Sequence, residues 1–129
     1  MVEHEFDQFV QRNLAVEDFL QGTVSDENIE AFLEKHQFPI NEGTSSTFVY
    51  YGVADSISLG HLIHGLPASQ LFKRVEGTNF WYLVLELPQD SRIEYKIQRK
   101  LNGKTEWFLD PLNPNRAADP FGENSVCHT

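Results

Sequence analysis

The sequence predicts a mainly β protein, a β-sandwich with a short α-helical extension at its N-terminus. Three observations lead there. Residues 44–110 are rich in aromatic and β-branched side chains and are broken every few residues by Gly, Pro, Asn or Asp. Within them, six or seven segments have strand length, the longer ones alternating apolar and polar positions as sandwich strands do. Residues 1–39 instead repeat apolar residues at helical spacing.

Val2, Phe6, Phe9, Val10 and Leu14 recur at three- and four-residue steps and share one helix face. Phe19 and Leu20 prolong that pattern or open a short second turn, and Gly22 ends it. Ser25 is placed to cap a further helix, with Asp26 and Glu27 in the first turn, where carboxylates favour the helix dipole. Ile29, Phe32, Leu33 and His36 then follow helical spacing until Pro39 stops the run. This acidic extension, residues 1–43, reads as a cap packed on its own domain, because burying an apolar stripe is the usual source of helix stability. The other reading is a docking face for a partner protein.

The sandwich follows over residues 44–110. Residues 47–51 and 56–59 read as strands around a turn at 52–55. A short strand is expected over 71–76, with a turn at 77–79. Residues 80–87 carry the strongest pattern: Trp81, Leu83, Leu85 and Leu87 fall on one face and read as core, opposite Phe80, Tyr82, Val84 and Glu86. Ile93, Tyr95 and Ile97 alternate along 92–101. Asn102-Gly103 is the favoured two-residue hairpin turn, and 104–109 returns with Trp107. Residues 111–129 hold Pro111, Pro114 and Pro120 without clear periodicity, and read as a linker-like tail. The abrupt end at Ser125-Val-Cys-His-Thr reads as a chain cut short before a further domain.

Composition limits the function classes. At 129 residues with 40% hydrophobic and 22% charged, this is an ordinary globular chain of one domain with an appendage. No apolar run approaches membrane-spanning length, and the acidic N-terminus is not a signal peptide. Cys127 is the single cysteine, so no internal disulfide forms, and a cytoplasmic location is expected. A net charge of −9 argues against nucleic acid and anionic membrane as partners. The charge is uneven: residues 1–43 hold ten acidic and two basic residues, the remainder nine and eight.

Catalytic signatures are missing. No serine has glycine on both sides as a hydrolase elbow needs. Gly60 and Gly65 have phosphate-loop spacing, but Leu66 and Pro67 stand where Lys and Ser/Thr belong. His61-x-x-His64 could offer two imidazoles to a metal, yet a zinc site needs three or four ligands and no partner pair stands out, so both read as polar loop residues. Cys127-His128 are sequence neighbours rather than a pair meeting in space. Asp110 and Asp119 each precede proline and read as turn chemistry. No catalytic residue, metal or cofactor is assigned. What remains is the aromatic set Tyr50, Tyr51, Trp81, Tyr82 and Trp107. Outward rings on a sandwich can stack on the apolar faces of sugars or aryl groups. Trp81 reads as core, while Trp107, beside the hairpin, divides evenly between core and binding platform; Tyr51 is carried as a second candidate.

Several segments together suggest a family. The run Thr47-Phe-Val-Tyr-Tyr-Gly, then Gly65-Leu-Pro, Phe72-Lys-Arg-Val-Glu-Gly-Thr-Asn-Phe-Trp-Tyr-Leu, Leu87-Pro, Arg92-Ile-Glu-Tyr-Lys, Trp107-Phe-Leu-Asp-Pro-Leu-Asn-Pro and Asp119-Pro-Phe-Gly-Glu-Asn-Ser-Val resembles the N-terminal domain of enterochelin-esterase-like proteins over residues 38–129. The likeness implies an immunoglobulin-like, early-set sandwich preceding an α/β-hydrolase domain of the same polypeptide, whose triad lies outside this chain. A looser likeness extends to the glycogen-binding sandwich modules of branching enzymes, although this chain lacks an obvious pair of adjacent exposed tryptophans. The resulting expectation is a non-catalytic accessory domain of a serine esterase that shapes the substrate cleft. Its junction would use the loop 61–67, with His61 and His64, and the segment 112–121, with Asn113 and Arg116 as polar contacts and Phe121 as apolar anchor. The alternatives are a free-standing glycan-binding module using Trp107, whose ligand would be a glycan rather than a small ester, or an interaction domain working through its acidic helices.

Overall fold

The computed structural model describes residues 13–61, 69–120 and 122–129. The expected β-sandwich is there, in two antiparallel sheets. The first is ordered β1 (Ile40–Glu42), β2 (Ser45–Tyr51), β6 (Phe80–Glu86), β5 (Lys73–Arg74). The second runs β4 (Ser69–Leu71), β3 (Ser56–His61), β7 (Arg92–Leu101), β10 (Gly122–His128), β9 (Arg116–Asp119), with β8 (Lys104–Phe108) also pairing with β7. β7 is long enough to pair with β10 through residues 92–95 and with β8 through 97–101. Asn102 and Gly103, with φ of 53° and 77°, make the β7–β8 hairpin; two positive φ values in a row are what a two-residue turn of this hand requires.

Both faces of the first sheet are buried, which makes the fold three-layered. Trp81, Leu85 and Leu87 point into the sandwich, where they meet Phe48, Ile57, Leu59, Tyr95 and Ile97. Phe80 and Val49 point the other way, under two helices, α1 (Ala15–Gln21) and α2 (Asp26–Lys35). Leu14, Val16, Ile29 and Phe32 are buried against that outer face. Burial of each such side chain contributes about 2 kcal/mol, so the helices form a second core on the sheet. Phe19 stacks on Phe32 with centroids 4.5 Å apart, and Phe32 meets Phe80 edge-on. The Ser25 hydroxyl caps α2 by accepting from Asn28 N at 3.2 Å, as expected. The start of α1 is fixed by a distant residue: the Glu42 carboxylate accepts from Ala15 N at 3.0 Å and 3.2 Å, which ties the helix to β1.

Two expectations are corrected. The segment read as one strand over 71–76 is two, β4 in one sheet and β5 in the other. Phe72, buried between the sheets, is the crossing point, and its N–H bonds Ile57 O at 2.8 Å. The tail read as linker-like is part of the sandwich. β10 lies inside the second sheet, paired on one side with β7 (Ser125 opposite Tyr95, Cys127 opposite Ile93) and on the other with β9. Its inward residues, Ser125 and Cys127, are small, and proline interrupts the approach to it, so hydrophobic alternation gives no signal there. The helix expected over Val2, Phe6, Phe9 and Val10 falls outside the described residues. None of the described helices is long and apolar enough to cross a membrane.

Candidate functional site

The alternation along β7 decides what the second sheet shows to solvent. With Ile93, Tyr95 and Ile97 buried, Glu94, Lys96 and Gln98 point outward. On either side, Trp107 of β8 pairs with Gln98, and Gly60 of β3 pairs with Lys96. The Trp107 ring leans across β7 and seats on Gly60. A Cβ on that glycine would lie 2.9 Å from Cη2 and closer still to Cζ3. Glycine within a strand often marks such a close approach. Trp107 remains 51% exposed. Beside it opens a cleft of about 260 Å³, lined by Gly60, His61, Glu94, Tyr95, Lys96, Trp107 and Asn124.

Polar groups rim this platform. Glu94 Oε1 accepts from Asn124 Nδ2 at 3.1 Å, and Oε2 from Arg92 Nη1 at 2.8 Å. The Asn124 bond first, then Arg92, hold its carboxyl below the usual carboxylate range. Ser58 Oγ donates to Gln98 Oε1 at 2.9 Å, which turns the Gln98 amide nitrogen to other partners. His61 lies 3.3 Å from Gln70, and burial lowers its pKa, favouring the neutral imidazole.

Beneath the platform lies a closed polar network. Tyr95 Oη donates to Asp110 Oδ2 at 2.7 Å and accepts from Asn113 Nδ2 at 2.9 Å. Asn113 also donates to Val126 O at 2.8 Å, while Asp110 accepts from Leu112 N at 3.0 Å. Burial pushes the Asp110 carboxyl and the Tyr95 phenol upward. The network pins the 110–115 turn to β7 and β10, and so holds the Glu94–Lys96 and Asn124 strands in place. No group of three His, Cys, Asp or Glu able to hold a metal occurs among the described residues.

The residues singled out from sequence do not gather at one place. Trp107 is exposed on the platform, and Trp81 is core, its Nε1 donating to Gly52 O at 3.0 Å. His61 belongs to β3 and is 5% exposed, which corrects the reading of a polar loop residue. Asn113, expected as an outward junction contact, is buried, its amide holding Tyr95 and Val126. Tyr51 is on the opposite side of the molecule, beneath α2, donating to Asp26 Oδ1 at 2.6 Å; that bond chiefly pushes its phenol up to about 12. Arg116 is exposed on the edge strand β9. His64 and Phe121 lie outside the described residues. Asp110 bears out the turn reading, since its carboxylate accepts from Leu112 N two residues on. Gly60, Lys96 and Asn124 were missed. Alternation with Ile93, Tyr95 and Ile97 could have marked Lys96 as outward, and a glycine within a strand could have flagged Gly60.

No family model matches the chain, and no curated protein matches it. Solved structures do. A pullulanase from Bacillus acidopullulyticus superposes with a TM-score of 0.56 at 16% identity, over 71% of this chain and 11% of that one. A mutant pullulanase from Paenibacillus barengoltzii, solved in complex with maltotetraose, gives 0.55 at 12% identity over 71% of this chain and 14% of that one. At these identities the likeness establishes the sandwich fold. This chain spans a small fraction of either pullulanase.

Proposed function

We propose that this chain is a non-catalytic carbohydrate-binding module of the early-set sandwich type, which takes a glycan on the outer face of its six-stranded sheet. The observation that carries the reading is Trp107, a half-exposed indole seated on Gly60 with Lys96, Glu94, Asn124 and Gln98 around it. An indole beside hydrogen-bonding side chains matches a pyranose, which has apolar C–H faces and a rim of hydroxyls. The neighbours support the ligand class: both are glycoside hydrolases, and one holds maltotetraose. They also support a modular role, since they are far longer chains. The module works as an accessory domain beside a hydrolase domain of the same polypeptide, the partner expected from the enterochelin-esterase-like resemblance.

Titration with maltooligosaccharides followed by tryptophan fluorescence tests this. The chain has two tryptophans, and Trp81 is buried, so a ligand-dependent change reports on Trp107. Loss of a stacked ring of this size costs about 1.5–3 kcal/mol, so Trp107→Ala weakens binding by roughly tenfold to a hundredfold. A folded wild-type protein whose fluorescence ignores millimolar glucan would overturn the proposal.

A further inference from the structure

The cleft beside Trp107 holds one carboxylate among its described lining residues, that of Glu94. Its orientation is fixed from two strands. Arg92, two residues back on the same face of β7, donates Nη1 to Oε2 at 2.8 Å. Asn124 of the neighbouring β10 donates Nδ2 to Oε1 at 3.1 Å. Each oxygen therefore receives one bond. An ionised carboxylate has about four acceptor sites, two on each oxygen, so each oxygen keeps capacity for one further donor. The side chain remains 30% exposed, so those sites are within reach of a ligand. The same two bonds hold the carboxyl below the usual carboxylate range, which keeps it acceptor-only at neutral pH.

We infer that Glu94 is the specificity-determining residue of the platform: its two oxygens accept from two adjacent free hydroxyls of the sugar on Trp107, so the ligand is a glycan unsubstituted at that pair. This rests on the glycan reading above and specifies its ligand. The other contacts do not make the distinction. An indole stacks on the C–H face of a ring whether or not the hydroxyls at its edge are capped. Lys96 only donates, and a hydroxyl and an ether both accept from it. Glu94 only accepts, so a capped oxygen leaves it without its donor, and a polar group built to bond a hydroxyl discriminates strongly against an analogue that lacks one. The two oxygens lie side by side, which matches hydroxyls on neighbouring ring carbons. In an internal ring of an α-1,4-glucan the 4-oxygen carries the linkage and the 6-oxygen is exocyclic, so the 2- and 3-hydroxyls are the one such pair. Because Arg92 and Asn124 already hold the carboxylate in place, little side-chain freedom is lost when the sugar arrives.

The test is isothermal titration of the whole chain with maltohexaose, with its form methylated at every 6-oxygen, and with its form methylated at every 2- and 3-oxygen. The wild type, Glu94→Gln and Glu94→Ala are compared. The wild type should bind the 6-methylated ligand within about threefold of maltohexaose, and the 2,3-methylated ligand about tenfold to a hundredfold more weakly, the loss expected when hydrogen bonds to a charged group go unmade. Glu94→Ala should bind maltohexaose about tenfold more weakly and bring all three ligands within about threefold of one another. Glu94→Gln keeps the shape with one acceptor oxygen in place of two, and its discrimination should fall between. Were Glu94 only a brace for Arg92 and Asn124, its removal would weaken the three ligands in proportion and leave their ratios unchanged. Glu94 is on the surface, so the variants keep their fold, and far-ultraviolet circular dichroism checks this. Equal binding of the 2,3-methylated ligand by the wild type, or discrimination undiminished in Glu94→Ala, overturns this inference and leaves the glycan reading standing. Absence of binding to maltohexaose overturns both.

Discussion

Replacing Gly60 by alanine probes the seat of Trp107 without touching any ligand. Gly60 has an ordinary strand backbone, free of positive φ, so alanine meets no backbone strain there. In isolation the change should stabilise by about 0.4–1 kcal/mol, because it restricts the unfolded chain. The new methyl, however, would lie 2.9 Å from Trp107 Cη2 and nearer to Cζ3. Overpacking of this kind costs about 1–3 kcal/mol. Net, Gly60→Ala should destabilise the wild type by about 1–2 kcal/mol, with the indole pushed off the sheet. In a Trp107→Ala background the clash is gone, and the same substitution should stabilise by about 0.5 kcal/mol. The double-mutant cycle therefore carries a coupling of about 1.5–2.5 kcal/mol. Urea unfolding of the four proteins, followed by circular dichroism, measures it. If Gly60→Ala shifts stability equally in both backgrounds, to within about 0.5 kcal/mol, the ring is not seated on Gly60 and the platform geometry is wrong.

Two further predictions concern stability. Thr47 Oγ1 is buried under the helical layer with no hydrogen-bond partner; Thr47→Val keeps the β-branch, removes the orphan hydroxyl and should raise stability by about 1 kcal/mol, read as a higher urea midpoint at unchanged slope. Asp110 has a folded-state pKa raised by burial, opposed only in part by its bonds from Tyr95 and Leu112. The folded protein thus holds that proton more tightly than the unfolded chain, whose Asp titrates near about 3.9, and ionising Asp110 costs stability. The cost is absent below the unfolded value, grows as pH rises towards the raised folded value, and is constant above it. The stability of Asp110→Asn relative to wild type should therefore improve as pH rises through that window in urea titrations, and a pH-independent difference would count against the assignment.

How much was legible in the sequence depends on whether a segment's pattern is set by its own apolar residues. Along residues 80–87, Trp81, Leu85 and Leu87 mark the inner face unaided, whereas the layer that covers Phe80, Tyr82 and Val84 on the other face was not read from them. The cap of α2 and the Asn102-Gly103 hairpin rest on local chemistry and were readable for the same reason. β10 was not, because Ser125 and Cys127 carry too little apolar contrast; it is a strand because β7 and β9 offer backbone partners on both sides. Asn113 illustrates the same limit: an asparagine between two prolines looks like loop surface until Tyr95 and Val126, distant in sequence, close over it.

The sequence alone determined the class of fold, the strand faces of the central sheet and the helical nature of the extension, since each follows from side-chain periodicity over a few residues. It also singled out Trp107. Tertiary structure alone decided that the helices cover the first sheet, that the last strand is interior, and that Trp107, Gly60, Lys96, Asn124 and Glu94 share one surface. Those residues come from four strands, and only pairing register, set by hydrogen bonds between segments far apart in the chain, brings them together.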